Sequence, residues 1–272
     1  MMQLSSPLAA ALTALIPPAL LAALAWWRKA LTPSGLALAW ALAVVICLCG
    51  GLGAFWVLAA VFVFTIAAGK LSKRIREPIE ALLHAKGGRR DAVQIFCNVF
   101  TGAGMLLLRT LTGRDGFLWA YGGAMAASLA DSMASELGVL SRRPPRDILT
   151  LRVAEKGLSG AVSCLGLAAS ALGAAIAAAL CFAAWGGEQG AGLFFAVLCA
   201  GFLAALADSV LGAALQAKYR CPVCRRLTER RNHCDVQGTL ERGLALITND
   251  TVNLCNNLIG ALSAGLWWSL TR

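Results

Sequence analysis

Apolar residues in this chain come in runs too long for an ordinary soluble core. Eight runs stand out: 8–27, 36–50, 52–69, 92–112, 117–140, 158–184, 191–216 and 244–270. A helix needs about 20 mostly apolar residues to cross a bilayer. The pattern therefore predicts an all-α, polytopic membrane bundle of about eight helices, built as one domain over residues 1–272. The second and third runs are short, and Gly50, Gly51 and Gly53 lie between them. They read as one broken helix or as a re-entrant pair. Pro17 and Pro18 should kink the first helix, which neighbouring helices can accommodate. The alternative for residues 1–27 is a cleaved signal segment. Against it, the positive charge follows the apolar run instead of preceding it.

Composition agrees with the pattern. The chain is 58% hydrophobic and 14% charged, with mean hydropathy +0.70, where soluble domains carry about 25% charged residues. Charge then sets orientation. All of the 24 lysines and arginines except Arg109, Arg114 and Arg272 fall in loops 28–35, 70–91, 141–157 and 217–243. With eight spans these loops share one side. By the positive-inside rule that side is cytoplasmic, and both termini face out, as in a bacterial inner membrane. The net charge of +10 follows from topology and from attraction to anionic lipid. No folded soluble domain is expected to present it, so nucleic acid is not the expected partner.

Polar residues interrupt four of the runs. Asp91, Gln94 and Asn98 share a helix face by spacing, as do Ser128, Asp131, Ser132 and Ser135. Glu136 follows Ser132 by one turn. Asp208, Ser209, Gly212 and Gln216 share a face, and Asn249, Asn253 and Asn257 follow at one-turn intervals with Asp250 and Asn256 beside them. The serines and asparagines serve equally well as interhelical hydrogen-bond partners. Intramembrane acids are costly and mark function by default. The tetrapeptide LADS occurs at 129–132 and again at 206–209, in helices of the same direction. Asp131 and Asp208 lie at matching depth, toward the basic side, which suggests two related halves. Two neighbouring carboxylates repel unless a cation sits between them, and Mg²⁺ with phosphate would satisfy both. Lys156 and the Gly157-Leu158-Ser159-Gly160 turn should open the sixth helix as an anion site.

These segments resemble a known family. SLADSMASELG (128–138), the Pro-Arg at 145–146, KGLSGAVS (156–163), RDAVQIFCN (90–98), LADSVLGAALQ (206–216), CPVC (221–224) and TNDTVN (248–253) are similar to the integral-membrane family of plant phytyl-phosphate kinase and transmembrane protein 19, the domain of unknown function 92 family. The likeness spans nearly the whole chain. More broadly the chain resembles CTP-using membrane kinases. The resemblance implies transfer of a nucleoside triphosphate γ-phosphate, from CTP or ATP, to an isoprenyl monophosphate or related lipid. It implies Mg²⁺ on Asp131 and Asp208, with Asp250, Asn249 and Asn253 placing metal or phosphates; Asn98, by its polar face alone, is a further candidate for binding phosphate. Lys156, Gly157, Gly160, Arg146 and Arg152 would bind the nucleotide phosphates. An alcohol acceptor would need a base, for which Glu136 is the candidate. Two positions depart from the family: Leu158-Ser159 stands where a threonine and a polar residue are common, and Val99 follows Asn98 in place of glycine. A nucleotidyltransferase forming a CDP-lipid, and a transporter with paired Asp ion sites, are the alternatives.

One loop carries a different chemistry. CPVCRRLTERRNHC (221–234) places Cys221 and Cys224 at knuckle spacing, with His233 and Cys234 as further zinc ligands. The adjacent His-Cys pair strains closure, so a three-cysteine site and a metal-free reduced loop remain alternatives. His84 reads as a solvated residue.

Overall fold

The computed structural model describes residues 7–83 and 89–271; His84, Lys86 and Arg272 lie outside them. Among the described residues there are seven helices: α1 (Pro7–Trp27), α2 (Pro33–Leu83), α3 (Ala92–Thr112), α4 (Gly116–Gly138), α5 (Cys164–Gln189), α6 (Ala191–Ala214) and α7 (Asn249–Thr271). The protein is a helical membrane bundle. Stretches in α2, α3, α5 and α6 are long and apolar enough to cross a bilayer. The apolar part of α1, Ala11–Trp27, is shorter, and α4 and α7 are diluted by serine, asparagine, glycine and acids.

The second and third expected runs both fall in α2, which breaks at Gly51 (φ 69°, ψ −171°). That backbone geometry is essentially open only to glycine. Neighbours show the direction of each arm. Gly35 abuts Arg90 and Asp91 at the start of α3, and Gly50 abuts Leu106 further along it. The carbonyl of Ala54 accepts the Tyr121 hydroxyl (2.7 Å) early in α4, whereas Gly69 lies beside Glu136 near its end. The first arm thus follows α3 and the second follows α4, in opposite senses.

Helix α4 is the axis of the bundle. Every residue from Leu118 to Ala130 is buried, because α2, α3, α5, α6 and α7 all pack on it. Lipid offers no hydrophobic drive between helices, so close backbone approach and packing must supply it. Small residues permit that approach. A Cβ on Gly123 would lie 2.1 Å from the Gly260 carbonyl oxygen, and one on Gly173 would lie 2.9 Å from that of Leu129. Gly122 meets Val197 and Gly201 meets Ala126, so α4 and α6 run parallel. Leucines such as Leu20, Leu48, Leu111, Leu262 and Leu270 are exposed, as a lipid-facing surface requires. One end of the bundle is tied by polar contacts. Arg109 pairs with Asp115 (2.8 Å), Gln189 donates to Asp115 (3.1 Å), and the Trp119 indole donates to Gln189 (3.0 Å).

The other end carries β-structure that the apolar pattern did not announce. Strands β1 (Arg146–Asp147) and β2 (Ala161–Val162) pair between α4 and α5. Between α6 and α7 a small module folds from β3 (Lys218–Arg220), β4 (Leu227–Thr228) and β7 (Thr239–Arg242) in one sheet, plus a hairpin of β5 (Asn232–His233) and β6 (Val236–Gln237). Tyr219, Cys221 and Thr228 are buried in it. The expectation of no folded part outside the helices is corrected here. Two helices also start later than expected. Ser163 caps α5 by accepting from the Gly166 N–H (3.1 Å), so residues 158–163 are loop and strand. Helix α7 begins at Asn249, since 244–248 belong to the module's return.

Candidate functional site

A cavity opens at the module end of the bundle. Asp131 and Ser135 of α4 and Asp208 and Ser209 of α6 form one wall. Lys156 to Val162 and the start of α5 form another, and Asn249 closes the rim. Asp131 lies seven residues before the end of α4 and Asp208 six before the end of α6, so both sit about 10 Å in from the helix ends. The parallel packing of the two helices brings the LADS segments together. Asp131 and Glu229 both act electrostatically on Asp208. The Asp208 Oδ1 atom is buried with no hydrogen-bond partner. An oxygen in that condition is costly unless something compensates it. Two neighbouring carboxylates on one cavity wall, with a buried oxygen unused, fit a hard divalent cation such as Mg²⁺.

The Lys156 loop completes the cavity. The Lys156 ammonium donates to the carbonyls of Ser141 (2.6 Å) and Val139 (3.4 Å), capping the negative end of α4. Gly157 and Gly160 take φ values of 84° and 83°. A Cβ on Gly160 would lie 2.5 Å from that of Ala213, so the loop rides directly on α6. Two residues of the β-module hold it there. The N–H and hydroxyl of Ser159 donate to Glu229 (3.1 and 2.5 Å), and Lys218 donates to the Ser159 carbonyl (2.7 Å). Lys218 is only 1% exposed. Burial pushes its ammonium pKa down, and Glu229 and Asp147 partly restore it. Sequence reasoning missed both residues. Each stands among several like charges in 217–243, and only the folded module singles them out.

Other expected site residues lie elsewhere. Glu136 does not line the cavity; it faces α2 and accepts from Ser72 (3.0 Å). Arg146 and Arg152 are exposed, and the Arg146 guanidinium is engaged by the Leu151 carbonyl (2.7 Å), a contact that braces the β1 turn. Asp91 and Gln94 form the capping box of α3. Asn98 bonds to the Gln94 carbonyl and accepts from Ser128, joining α3 to α4. Asp250 and Asn253 occupy the first turns of α7 away from the cavity lining, and the Asn253 carbonyl accepts from Asn257 (3.0 Å). The turn at 157–160 does not open a helix, and a carboxylate already takes the Ser159 N–H. Of the expected set, Asp131, Asp208, Lys156, Gly157, Gly160 and Asn249 converge. Cys221, Cys224, His233 and Cys234 also come together, in the module.

Known proteins resemble this chain along its length. The model of the family described as integral membrane protein DUF92 matches residues 16–261. An uncharacterized membrane protein of Methanocaldococcus jannaschii is 35% identical over 127 residues, covering 44% of this chain and 51% of that protein. This chain therefore spans about half the length of that archaeal relative. An uncharacterized membrane protein of Synechocystis is 30% identical over 199 residues, 71% of this chain and 74% of its own. Protein PGR of Arabidopsis thaliana is 28% identical over 239 residues, 74% and 77% of the two chains. No solved structure matches. With the family model running from the first helix into the last, the chain belongs to the integral membrane protein family DUF92.

Proposed function

We propose that this protein is a membrane phosphotransferase. It moves the γ-phosphoryl group of CTP or ATP to an isoprenyl monophosphate or a related lipid, at a site on the basic-loop side of the bilayer. One observation carries the reading: Asp131 and Asp208 line the same wall of a cavity at the edge of the helical bundle, within electrostatic reach of each other, and one oxygen of Asp208 is buried without a partner. Asp131 and Asp208 would hold Mg²⁺, which when bound offsets the negative charge of the phosphates.

The remaining work falls to residues of the chain. Lys156 lines the cavity with two N–H groups held by the carbonyls of Ser141 and Val139. Its third N–H is left for a phosphate oxygen. Gly157 and Gly160 keep the loop backbone close to α6, and Glu229 with Lys218 fixes that backbone through Ser159. Asn249 offers an amide at the rim. A phosphomonoester acceptor has a second pKa of about 6 and is largely dianionic near neutrality, so no strong general base is required. That agrees with Glu136 facing α2 instead of the cavity. The demand is to bring two anions together in a fixed geometry, and catalysis of this kind rests on positioning and charge.

The test is transfer by purified protein in detergent with Mg²⁺, γ-labelled CTP or ATP, and a panel of prenyl monophosphates. Label should appear in a lipid diphosphate with wild type and not with Asp208→Asn. Equal turnover by that variant, or no label from either donor, overturns the reading. Pyrophosphate release would instead indicate nucleotidyl transfer, and lack of nucleotide binding would indicate a transporter.

A further inference from the structure

We infer that Cys221, Cys224, His233 and Cys234 hold one structural Zn²⁺ that locks the β-module against the Lys156 loop. One ligand atom from each of the four lies within 4.8 Å of all the others. The His233 Nδ1 atom is 3.4 Å from the Cys224 sulfur and 3.2 Å from that of Cys234. In a tetrahedral site with Zn–S near 2.3 Å and Zn–N near 2.0–2.1 Å, ligand atoms stand about 3.5–3.8 Å apart. The cluster is therefore close to that geometry already.

Two tight turns create it. The first is the knuckle at Cys221–Arg226, where the Arg225 N–H donates to the Cys221 carbonyl and the Cys221 N–H to that of Arg226. The second is the hairpin of β5 and β6, whose corner is Cys234-Asp235. Arg225, Cys234 and Asp235 all take left-handed φ, at 59°, 53° and 58°. Non-glycine residues avoid that region unless the surroundings hold them there. The left-handed Cys234 is what turns its thiol back beside the ring of its neighbour, so adjacent His and Cys can serve one ion. Four protein ligands leave no open position, which makes the site structural, and three thiolates with an imidazole favour Zn²⁺ among hard and soft divalent ions. Three thiolates on a divalent ion leave one net negative charge. Arg225, Arg226, Arg230 and Arg231 lie between the two ligand pairs in sequence, which makes the segment net basic.

The consequence reaches the cavity. Glu229 lies between the two ligand pairs, and Lys218 lies just before the first. The segment that presents Glu229 to Ser159 is thus a short loop closed at both ends by the ion. Zn²⁺ would fix the position of the Lys156 loop without touching it.

The test is independent of the transferase reading. Full-length protein, purified reduced in detergent without added metal, is analysed for metal content. One zinc per chain is expected, with near-total loss in Cys224→Ala, retention in His233→Cys, and no change in Cys199→Ala on α6. Because a cysteine variant can fail to fold, wild type is also stripped with a chelator and titrated with Co²⁺. Intense thiolate-to-Co²⁺ absorption with tetrahedral visible bands, displaced by Zn²⁺, supports the site, as does faster proteolysis within 217–243 after stripping. Less than a tenth of an equivalent of zinc with no Co²⁺ uptake by the reduced protein overturns the inference. So does stoichiometric iron, and so does zinc retained when Cys221 and Cys224 are both replaced.

Discussion

Asp208 is placed where a carboxylate is expensive. Its Oδ1 is buried and unpartnered, and Asp131 and Glu229 are both within electrostatic reach. Leaving a buried polar group unsatisfied costs about 1–3 kcal/mol, and more for a charge. Removing the charge should therefore relieve the metal-free protein. Asp208→Asn is expected to melt at the same temperature as wild type or higher in chelator, yet lose at least ~100-fold in transfer, the stability–function opposition common at active sites. Added Mg²⁺ should raise the melting temperature of wild type and leave that of the variant unchanged, since a ligand at 100 times its Kd stabilises by about 2.7 kcal/mol. Scanning calorimetry in detergent reads both effects, and a Mg²⁺ shift that survives in the variant would remove Asp208 from the ligand set. Glu229 acts differently, through Ser159. Glu229→Gln keeps an acceptor for the Ser159 N–H and hydroxyl and should retain most turnover. Glu229→Ala leaves the Ser159 N–H and hydroxyl without that acceptor, and about tenfold loss in kcat/KM is expected. Steady-state kinetics of the pair separate positioning from mere charge, because both variants lose the charge and only one loses the acceptor.

At the scale of elements, the sequence was informative wherever one periodicity ruled. The Asp131 and Asp208 faces and the equal depth of the LADS segments follow from apolar runs and helical spacing, while the glycines at 50, 51 and 53 mark an interruption without deciding between one broken helix and a re-entrant pair. The misreadings share a cause. Helix starts at Cys164 and Asn249 are set by a Ser163 cap and by the β-module's return strand, and apolar content does not register either. Glu136 shares a helix with Asp131, but its turn of the helix faces Ser72; spacing gives relative angle and cannot say which neighbour fills it. The role of Gly123 and Gly260 was equally hidden, since glycines in membrane helices are common and only a contact singles them out. A Cβ on Gly260 would lie 2.5 Å from the Gly123 carbonyl oxygen, and backbone cannot yield as a flexible side chain can. Gly260→Ala should lower the melting temperature of the purified protein by several degrees, through a loss of about 1–3 kcal/mol from overpacking. Gly104→Ala, where nothing lies within 4 Å, is the matched control and should stay at the wild-type value or slightly above, since alanine favours the helix. Equal melting of the two variants would mean that the α4–α7 contact is looser than it stands here.

For the molecule as a whole, the sidedness of the membrane decides whether the cavity can work as proposed. A nucleoside triphosphate is available in the cytoplasm, so the cavity, the β-module and the basic loops must face that compartment. The charge distribution points that way: Arg109 and Arg114 are at the opposite end, and Arg109 is already neutralised by Asp115. Gly187 lies on that opposite end, exposed and with open space around it, while Arg143 is exposed on the cavity side just after α4. A membrane-impermeant maleimide applied to intact cells should label Gly187→Cys and leave both wild type and Arg143→Cys unlabelled. After permeabilisation, Arg143→Cys should label strongly over the wild-type background. The native cysteines help the experiment, because the exposed ones among the described residues, Cys164 at the start of α5 and Cys224 and Cys234 in the module, all lie at the cavity end and would remain out of reach until the membrane is opened. The reverse pattern, with Arg143→Cys labelled in intact cells and Gly187→Cys protected, would put the carboxylate pair on the side without nucleotide. The transferase reading would then fall whatever the geometry of Asp131 and Asp208, and a transporter drawing on external ions would take its place.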